Sequence, residues 1–162
     1  MPELQRLRAG HASAVLAFEL ANRAYFAGFI SDRGDEFFDH FTERHIALLA
    51  EQEAGLCACY VLAGEDGSIL GRFNLYEIRD GTAELGYRVA QKVAGRGVAT
   101  AAVRELSQLA AAQYGLRTLK AMTTHENVAS QKVLTKAGFV PVGPAQPGGR
   151  PGTRYQRDLS TG

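Results

Sequence analysis

Residues 89–100 read Val89-Ala90-Gln91-Lys92-Val93-Ala94-Gly95-Arg96-Gly97-Val98-Ala99-Thr100. The pattern is the end of an apolar strand, a loop with two glycines and the start of a helix. A helix N-terminus presents backbone N–H groups without intrahelical partners, and its dipole favours an anion there. Glycines at 95 and 97 let a phosphate approach the backbone, and small Ala99 keeps the first helical turn open. A tight strand-to-helix turn without a ligand would carry the same glycines, so the loop alone leaves both interpretations open.

Two better-known phosphate-binding loops do not fit this segment. The nucleoside-triphosphate loop needs Gly-Lys-Ser/Thr after its glycines. The dinucleotide-binding fold needs a third glycine and an acidic residue after the next strand. Neither pattern follows Gly97.

Hydrophobic periodicity and turn residues predict the elements on both sides of the loop. The predicted strands are residues 3–8, 56–63, 69–78, 82–89, 116–124, 139–142 and 153–159, and the predicted helices are 11–27, 35–53, 98–114 and 127–137. The crossover through helix 98–114 requires parallel pairing of the strands that it joins. The order β-α-α-β-β-β-α-β-α-β-β therefore predicts an α+β fold, an α/β three-layer arrangement with a mixed, mostly antiparallel sheet flanked by helices. We expect a single domain over residues 1–162.

The first two predicted helices each carry an apolar stripe for burial against this sheet. The expected core residues are Val15, Leu16, Phe18, Leu20 and Phe26 in the first helix, and Phe37, Phe38, Phe41, Ile46 and Leu49 in the second.

Composition narrows the class of protein. Hydrophobic residues make up 46% of the chain, and 18 Lys and Arg nearly balance 17 Asp and Glu. No general electrostatic attraction to nucleic acid or to an acidic membrane follows from that balance. No secretory signal or membrane-spanning run is visible, so we expect a cytoplasmic protein. Cys57 and Cys59 are interpreted as small core residues, and no metal site is expected.

In the strand before the loop, successive side chains point to opposite faces. Ala83, Leu85, Tyr87 and Val89 share one face, whereas Glu84, Gly86 and Arg88 share the other. Glu84 is the first candidate for a general base, acting on an acceptor directly or through water. A solvated glutamate on a strand face is the alternative.

At this point the chain resembles the GNAT N-acetyltransferases, in particular the Rim-type ribosomal-protein N-terminal acetyltransferases. Four segments carry the resemblance: Phe18-Glu-Leu-Ala-Asn22-Arg23, Glu84-Leu-Gly-Tyr87, the loop Ala94-Gly95-Arg96-Gly97-Val98-Ala99, and Asn127-Val-Ala-Ser130 followed by Leu134 and Gly138-Phe139. They stand in the family's order over residues 15–140. The loop motif departs from the family at Ala94, where Gln or Arg is usual.

The resemblance implies acetyl-coenzyme A as the donor. The residues implied to bind it are Tyr87, Val89, Ala94, Gly95, Arg96, Gly97, Val98, Ala99, Thr100, Asn127 and Ser130. Backbone near Val89 would hold the thioester carbonyl and the pantetheine arm. Asn127 is expected to cap its helix, to bind pantetheine, or both.

Many family members protonate the leaving thiolate with a tyrosine, and Leu134 occupies that position. Ser130, one helical turn earlier on the same face, is the expected substitute and second catalytic candidate. A serine that caps its own helix is the alternative.

The resemblance thus implies direct acetyl transfer to a primary amine, and no nucleophile for a covalent intermediate is visible. The acceptor would be a protein N-terminal α-amine or a small amine such as an amino acid, polyamine or aminoglycoside. Its groove is expected at Asn22, Arg23, Tyr25, Phe26 and Glu84, and at the turn after Val142. A non-catalytic coenzyme A sensor is the alternative from another class. We expect a monomer or a homodimer.

Overall fold

The computed structural model describes residues 2–159, and its centre is a seven-stranded sheet. The strands are β1 (Glu3–Arg6), β2 (Ala58–Ala63), β3 (Ile69–Arg79), β4 (Thr82–Val89), β5 (Thr118–Thr124), β6 (Val140–Ala145) and β7 (Gly152–Asp158). They lie in the order β1-β2-β3-β4-β5-β7-β6. Only β4 and β5 pair in parallel, and the other neighbours are antiparallel. The predicted mixed, mostly antiparallel sheet is confirmed.

Helices cover both faces of the sheet. They are α1 (Ala12–Ala21), α2 (Arg23–Ala27), α3 (Asp35–Asp39), α4 (Phe41–Glu53), α5 (Val98–Tyr114) and α6 (Val128–Lys136). The core under α5 and α6 joins Leu106 and Leu134 to Phe73 of β3. The core on the opposite face joins Val15 of α1 and Phe41 of α4 to the β2 side. The sheet is thus the middle of three layers.

The parallel pair β4–β5 opens a gap in the sheet. The two strands are in register only over three residues, from Thr82 opposite Thr118 to Glu84 opposite Lys120. β4 continues to Val89 and β5 to Thr124 without further pairing between them. Backbone polar groups of separated strands are open to a ligand, so this gap is a candidate position for the functional site.

Both long N-terminal helices are interrupted, which the sequence pattern did not predict. A 3₁₀ turn at Ala9–His11 precedes α1, Asn22 separates α1 from α2, and His40 separates α3 from α4. Two predicted core residues are exposed: Leu20 at 52% and Ile46 at 62%.

Polar side chains of the same helices are buried instead. His45 and Gln52 of α4 are buried, and Gln52 donates to the carbonyl oxygen of Leu7 at 3.0 Å. It also accepts from the backbone N–H of Cys59 at 2.8 Å. Buried backbone groups near a strand start need such partners, and this requirement outweighs the apolar periodicity.

The elements around the glycine loop match their predictions. α5 runs from Val98 to Tyr114, as the periodicity indicated, and Gly115 ends it with a left-handed φ of 63°. Cys57 and Cys59 are free and buried, in line with their interpretation as core residues. Within residues 2–159, every helix is too short or too polar to cross a bilayer.

Candidate active site

The loop before α5 forms an open cradle of backbone. Gly95 and Gly97 both have φ of 76°, a left-handed conformation that glycine adopts without strain. A Cβ atom at either position would meet nothing within 4 Å, and no side chain caps the N-terminus of α5. The helix N-terminus therefore faces open space, as an anion site requires.

A cavity of about 450 Å³ lies beside this loop, and we call it the loop cavity. Lys132 and Lys136 of α6 line it, and their four-residue spacing places both on one helix face. They add positive charge to the cavity that the loop borders. The motif comparison did not single them out, although their spacing after Asn127 is a readable signal.

Most residues that the resemblance assigned to coenzyme A line this cavity. They are Tyr87, Val89, Ala94, Gly95, Gly97, Ala99, Thr100, Asn127 and Ser130. Arg96 and Val98 are not part of its wall. Arg96 is exposed and Val98 packs toward the core, so neither offers its side chain to this cavity.

A second cavity of about 330 Å³ lies next to the first, and we call it the arginine cavity. Its wall holds four arginines: Arg33, Arg72, Arg88 and Arg150. Of the described residues, none that lines it is acidic. The two cavities share Phe29, Ile30, Tyr87, Arg88, Asn127 and Ser130.

Tyr87 and Ser130 meet at this junction. Their hydroxyl oxygens lie 2.9 Å apart, and the Tyr87 hydroxyl also donates to the Ser130 carbonyl at 3.3 Å. Burial raises the pKa of Tyr87 to about 12, so its phenol keeps its proton near neutral pH. Ser130 thus has a protonated hydroxyl as its partner.

Asn127 fixes the position of Ser130. Its Oδ1 accepts from the Ser130 backbone N–H at 3.2 Å, which caps α6. The capping part of the expectation for Asn127 is confirmed, and its amide N–H groups lie at the cavity junction. Leu134 is fully buried in the core, so its position offers no proton donor.

A buried carboxylate supports the arginine cavity. Glu19 of α1 is 1% exposed; its Oε2 accepts from Arg72 at 2.8 Å. Its Oε1 accepts from Arg33 at 3.1 Å and from Arg88 at 3.4 Å. Burial raises the pKa of Glu19, but the charges of Arg33, Arg72 and Arg88 outweigh burial, so the net pKa is lowered.

Sequence reasoning did not find this cluster, although Glu19 stood in one of the compared segments. The partners come from the segment after α2, from β3 and from β4. Strand alternation predicted that Arg88 lies on the face opposite Leu85. No local sequence pattern, however, links Arg88 to Glu19.

Glu84 lines neither of the two cavities. Gly86 of the same strand and Tyr76 of β3 do line the arginine cavity. Its Oε2 accepts from Arg154 at 3.2 Å, and its buried Oε1 has no partner within residues 2–159. Because this carboxylate lines neither cavity, a role as general base would require a bridging water.

The residues expected to form the acceptor groove have other surroundings. Asn22 donates to the Phe18 carbonyl at 2.9 Å and accepts from the Gln91 N–H at 3.0 Å. Arg23 pairs with Asp32 and Asp35, at 2.8 Å each.

The aromatic members of that set, Tyr25 and Phe26, do not line the arginine cavity. Phe26 is buried beneath the Arg88 guanidinium, 4.7 Å from the ring centroid. Tyr25 lines the loop cavity. The arginine cavity instead takes residues 29–31 and Arg33 from the following segment, because the break at Asn22 redirects the chain. The turn after Val142 does contribute, through Pro147, Gly148 and Arg150.

Comparison with known proteins agrees with this geometry. A family model described as an acetyltransferase (GNAT) domain matches residues 3–140. The probable N-acetyltransferase YjcK of Bacillus subtilis (strain 168) is 28% identical over 133 residues, covering 76% of this chain and 72% of that protein. The protein belongs to the GNAT acetyltransferase family.

Solved structures share the whole fold. The ribosomal-protein-S5-alanine acetyltransferase from Vibrio fischeri has a TM-score of 0.90 at 19% identity, covering 98% of this chain and 93% of that one. The spermidine N-acetyltransferase from Vibrio cholerae, solved with CoA and spermine, has a TM-score of 0.80 at 18% identity, covering 98% and 96%. The resemblance to the GNAT acetyltransferases is confirmed, the likeness to the Rim-type enzymes extends to the fold, and the protein is an acetyl-CoA-dependent acetyltransferase. The open glycine cradle and the lysines of α6 suit the phosphates of that co-substrate.

Proposed function

We propose that the protein transfers acetyl from acetyl-CoA directly to a primary amine while both are bound. The observation that carries this is the junction of the loop cavity and the arginine cavity at Tyr87, Asn127 and Ser130. A donor in one cavity and an acceptor in the other meet there. Ser130 has the Tyr87 phenol rather than a base as its partner, which favours direct transfer over an acyl-serine intermediate.

Backbone N–H groups and two lysines bind the phosphates of the donor, acetyl-CoA. N–H groups around Gly95 and Gly97 receive the pyrophosphate, and Lys132 and Lys136 add charge from α6. Acetyl-CoA supplies the activated acyl group as a thioester.

Strand geometry directs two further N–H groups into the gap. The N–H of Ala90 donates to the carbonyl of Leu70 at 2.8 Å, so Ala90 faces β3. Successive residues of a strand direct their N–H groups to opposite sides. The N–H groups of Val89 and Tyr87 therefore point away from β3, toward the gap. We assign the Val89 N–H to the thioester carbonyl, where it stabilises the developing oxyanion.

The leaving thiolate needs a proton donor at the same junction. The Ser130 hydroxyl takes that role, and the Tyr87 phenol at 2.9 Å replenishes its proton. The high pKa of Tyr87 keeps this reserve protonated across the neutral range.

The acceptor must lose a proton before it attacks. Guanidinium groups on the cavity wall disfavour an ammonium ion next to them, which lowers the pKa of a bound amine. Glu84 receives the proton through a water that bridges its unpartnered Oε1 to the cavity.

As acceptor we propose an α-amine, of a protein N-terminus first and of a free amino acid second. Ribosomal-protein and spermidine acetyltransferases share the fold, so the fold does not choose between them. The charge of the arginine cavity favours an α-amine, because four arginines repel a polyamine.

The test is acetylation of a panel of peptides, amino acids, spermidine and an aminoglycoside. Release of free CoA is followed with a thiol reagent, and each acetylated product is identified by mass spectrometry. We expect CoA release that depends on the amine, with the acetyl group on its nitrogen. Tight acetyl-CoA binding without turnover on any amine would show a non-catalytic sensor instead.

A further inference from the structure

The arginine cavity holds more positive charge than its own carboxylate balances. Three guanidinium groups, from Arg33, Arg72 and Arg88, surround the single carboxylate of Glu19. Within residues 2–159, each guanidinium donates one hydrogen bond to that carboxylate, although an arginine has five N–H donors. N–H donors that do not bond to Glu19, and a net positive charge, therefore remain at the wall of the arginine cavity.

Nearby acidic residues do not compensate for this excess. Asp32 and Asp35, which flank Arg33 in sequence, are held by Arg23 at 2.8 Å. Glu84 is held by Arg154 at 3.2 Å and does not line the arginine cavity. Arg150 adds a further positive charge at the rim.

The excess charge lies in a poorly solvated place. The side chains of Arg72 and Arg88 are 8% and 14% exposed. Burial lowers the pKa of Arg88 to about 10, and the charge of Arg33 acts in the same direction. Partly desolvated cations that share a single counter-ion are costly, and a bound anion relieves that cost.

Asn74 gives a second sign of a missing ligand. It is 5% exposed and lines the arginine cavity. Its Nδ2 donates to the Tyr76 hydroxyl at 2.7 Å, but its buried Oδ1 has no partner within the described chain. An N–H group of a bound acceptor would satisfy it.

We propose that the acceptor carries a carboxylate beside its amine, and that Arg33, Arg72 and Arg88 bind this carboxylate. Arg88 follows Tyr87 in β4 and lies directly opposite Arg72 in β3. Arg88 and Tyr87 each line both cavities, so the anion site borders the junction where the amine reacts. The carboxylate is the α-carboxylate of a free amino acid or the side chain of an acidic residue at a peptide N-terminus. This assignment rests on the proposed amine acetylation.

Matched substrates test the carboxylate. The first pair is a free amino acid and its amide, and the second is a peptide beginning with Asp and its counterpart beginning with Asn. Charge-assisted hydrogen bonds predict a kcat/KM at least about tenfold higher for the carboxylate member of one pair. The pair that shows the difference identifies the source of the carboxylate. Equal kcat/KM within both pairs, or faster turnover of spermidine, would overturn the assignment and leave amine acetylation intact.

Variants test the residues. Arg33→Gln should reduce the carboxylate preference to about threefold or less while the neutral partner changes little. Arg117→Gln is the control, since Arg117 is exposed, donates to the Asp80 carbonyl and lines neither cavity. Its carboxylate preference should equal that of the parent. If Arg33→Gln does not fold, Arg33→Lys replaces it, because it keeps a positive charge beside Glu19 and removes the planar fork that binds a carboxylate through two hydrogen bonds. A preference unchanged in the folded cavity variant would overturn the assignment, whereas absence of turnover in the parent on every amine would overturn the proposed function itself.

Discussion

The hydroxyl oxygens of Tyr87 and Ser130 lie 2.9 Å apart and join β4 to α6 across the gap in the sheet. The two cavities meet at this pair. In the proposed mechanism this pair supplies the proton for the leaving thiolate, because Leu134 occupies the position of the family's usual tyrosine.

The pair should contribute to the chemical step rather than to binding. We expect Ser130→Ala and Tyr87→Phe each to lower kcat by about tenfold or more, because each removes a proton donor. The KM for acetyl-CoA should change little. Tyr114→Phe is the matched control: it loses a hydrogen bond to Tyr60 of 2.8 Å outside both cavities. Steady-state kinetics decide the question, and a parent-like kcat in Ser130→Ala would remove Ser130 from the mechanism.

The glycine loop should control donor affinity. In Gly97→Ala we expect the KM for acetyl-CoA to rise about tenfold, because a Cβ at a φ of 76° is strained and narrows the cradle. Gly115→Ala places the same strain at the other end of α5, where φ is 63°. That control should lose about 1 kcal/mol of stability with an unchanged KM. Equal KM values in the two variants would contradict the loop assignment.

Glu84→Gln tests the water-mediated base. The amide can still accept from Arg154, so the fold should persist, but it cannot take up a proton. We expect kcat/KM for the amine to fall most strongly below neutral pH, where more of the acceptor is protonated. Acetyl-CoA affinity, measured by calorimetry, should equal that of the parent. A pH–rate profile that coincides with the parent's would exclude Glu84 as the base.

Glu19→Gln tests the buried ion cluster through stability. The pKa of Glu19 is lowered in the folded state. Its stabilisation is therefore fully present above the ordinary value of 4.5 and is lost as the pH falls through the folded pKa. At pH 7 the variant should lose about 3 kcal/mol, because three guanidinium groups lose their counter-ion.

Urea unfolding at pH 7 and at acidic pH measures this loss. The difference from the parent should shrink as the pH falls from 4.5 through the lowered pKa of Glu19, where the parent carboxyl also becomes neutral. Glu36→Gln, an exposed residue of α3, is the control and should change stability by less than about 0.5 kcal/mol. A loss that stays constant with pH would contradict an ionised Glu19.

Features set by neighbours in sequence were predictable. The glycine loop, the start of α5 at Val98 and its end before Gly115 follow from local backbone preferences. Strand alternation placed Tyr87 and Glu84 on opposite faces. Motif order identified the donor and singled out Ser130 and Asn127 separately.

Contacts between distant segments were not predictable. Glu19 and Leu20 are adjacent in α1, yet Glu19 is buried and Leu20 is 52% exposed, because arginines brought by β3 and β4 stabilise the carboxylate inside. The pair Glu84–Arg154 spans 70 residues, and the register of β5 with β7 sets it. Hydrophobic periodicity carries no information about such long-range partners.

The sequence by itself determined the family and the acetyl donor, since those depend on motif order, and short-range backbone geometry predicted the loop for that donor. Only the tertiary structure decided which charges line the arginine cavity. The gap between β4 and β5 and the packing of α1 on the sheet bring Glu19, Arg33, Arg72 and Arg88 together, and the electrostatics of a cavity exist only once its walls are assembled.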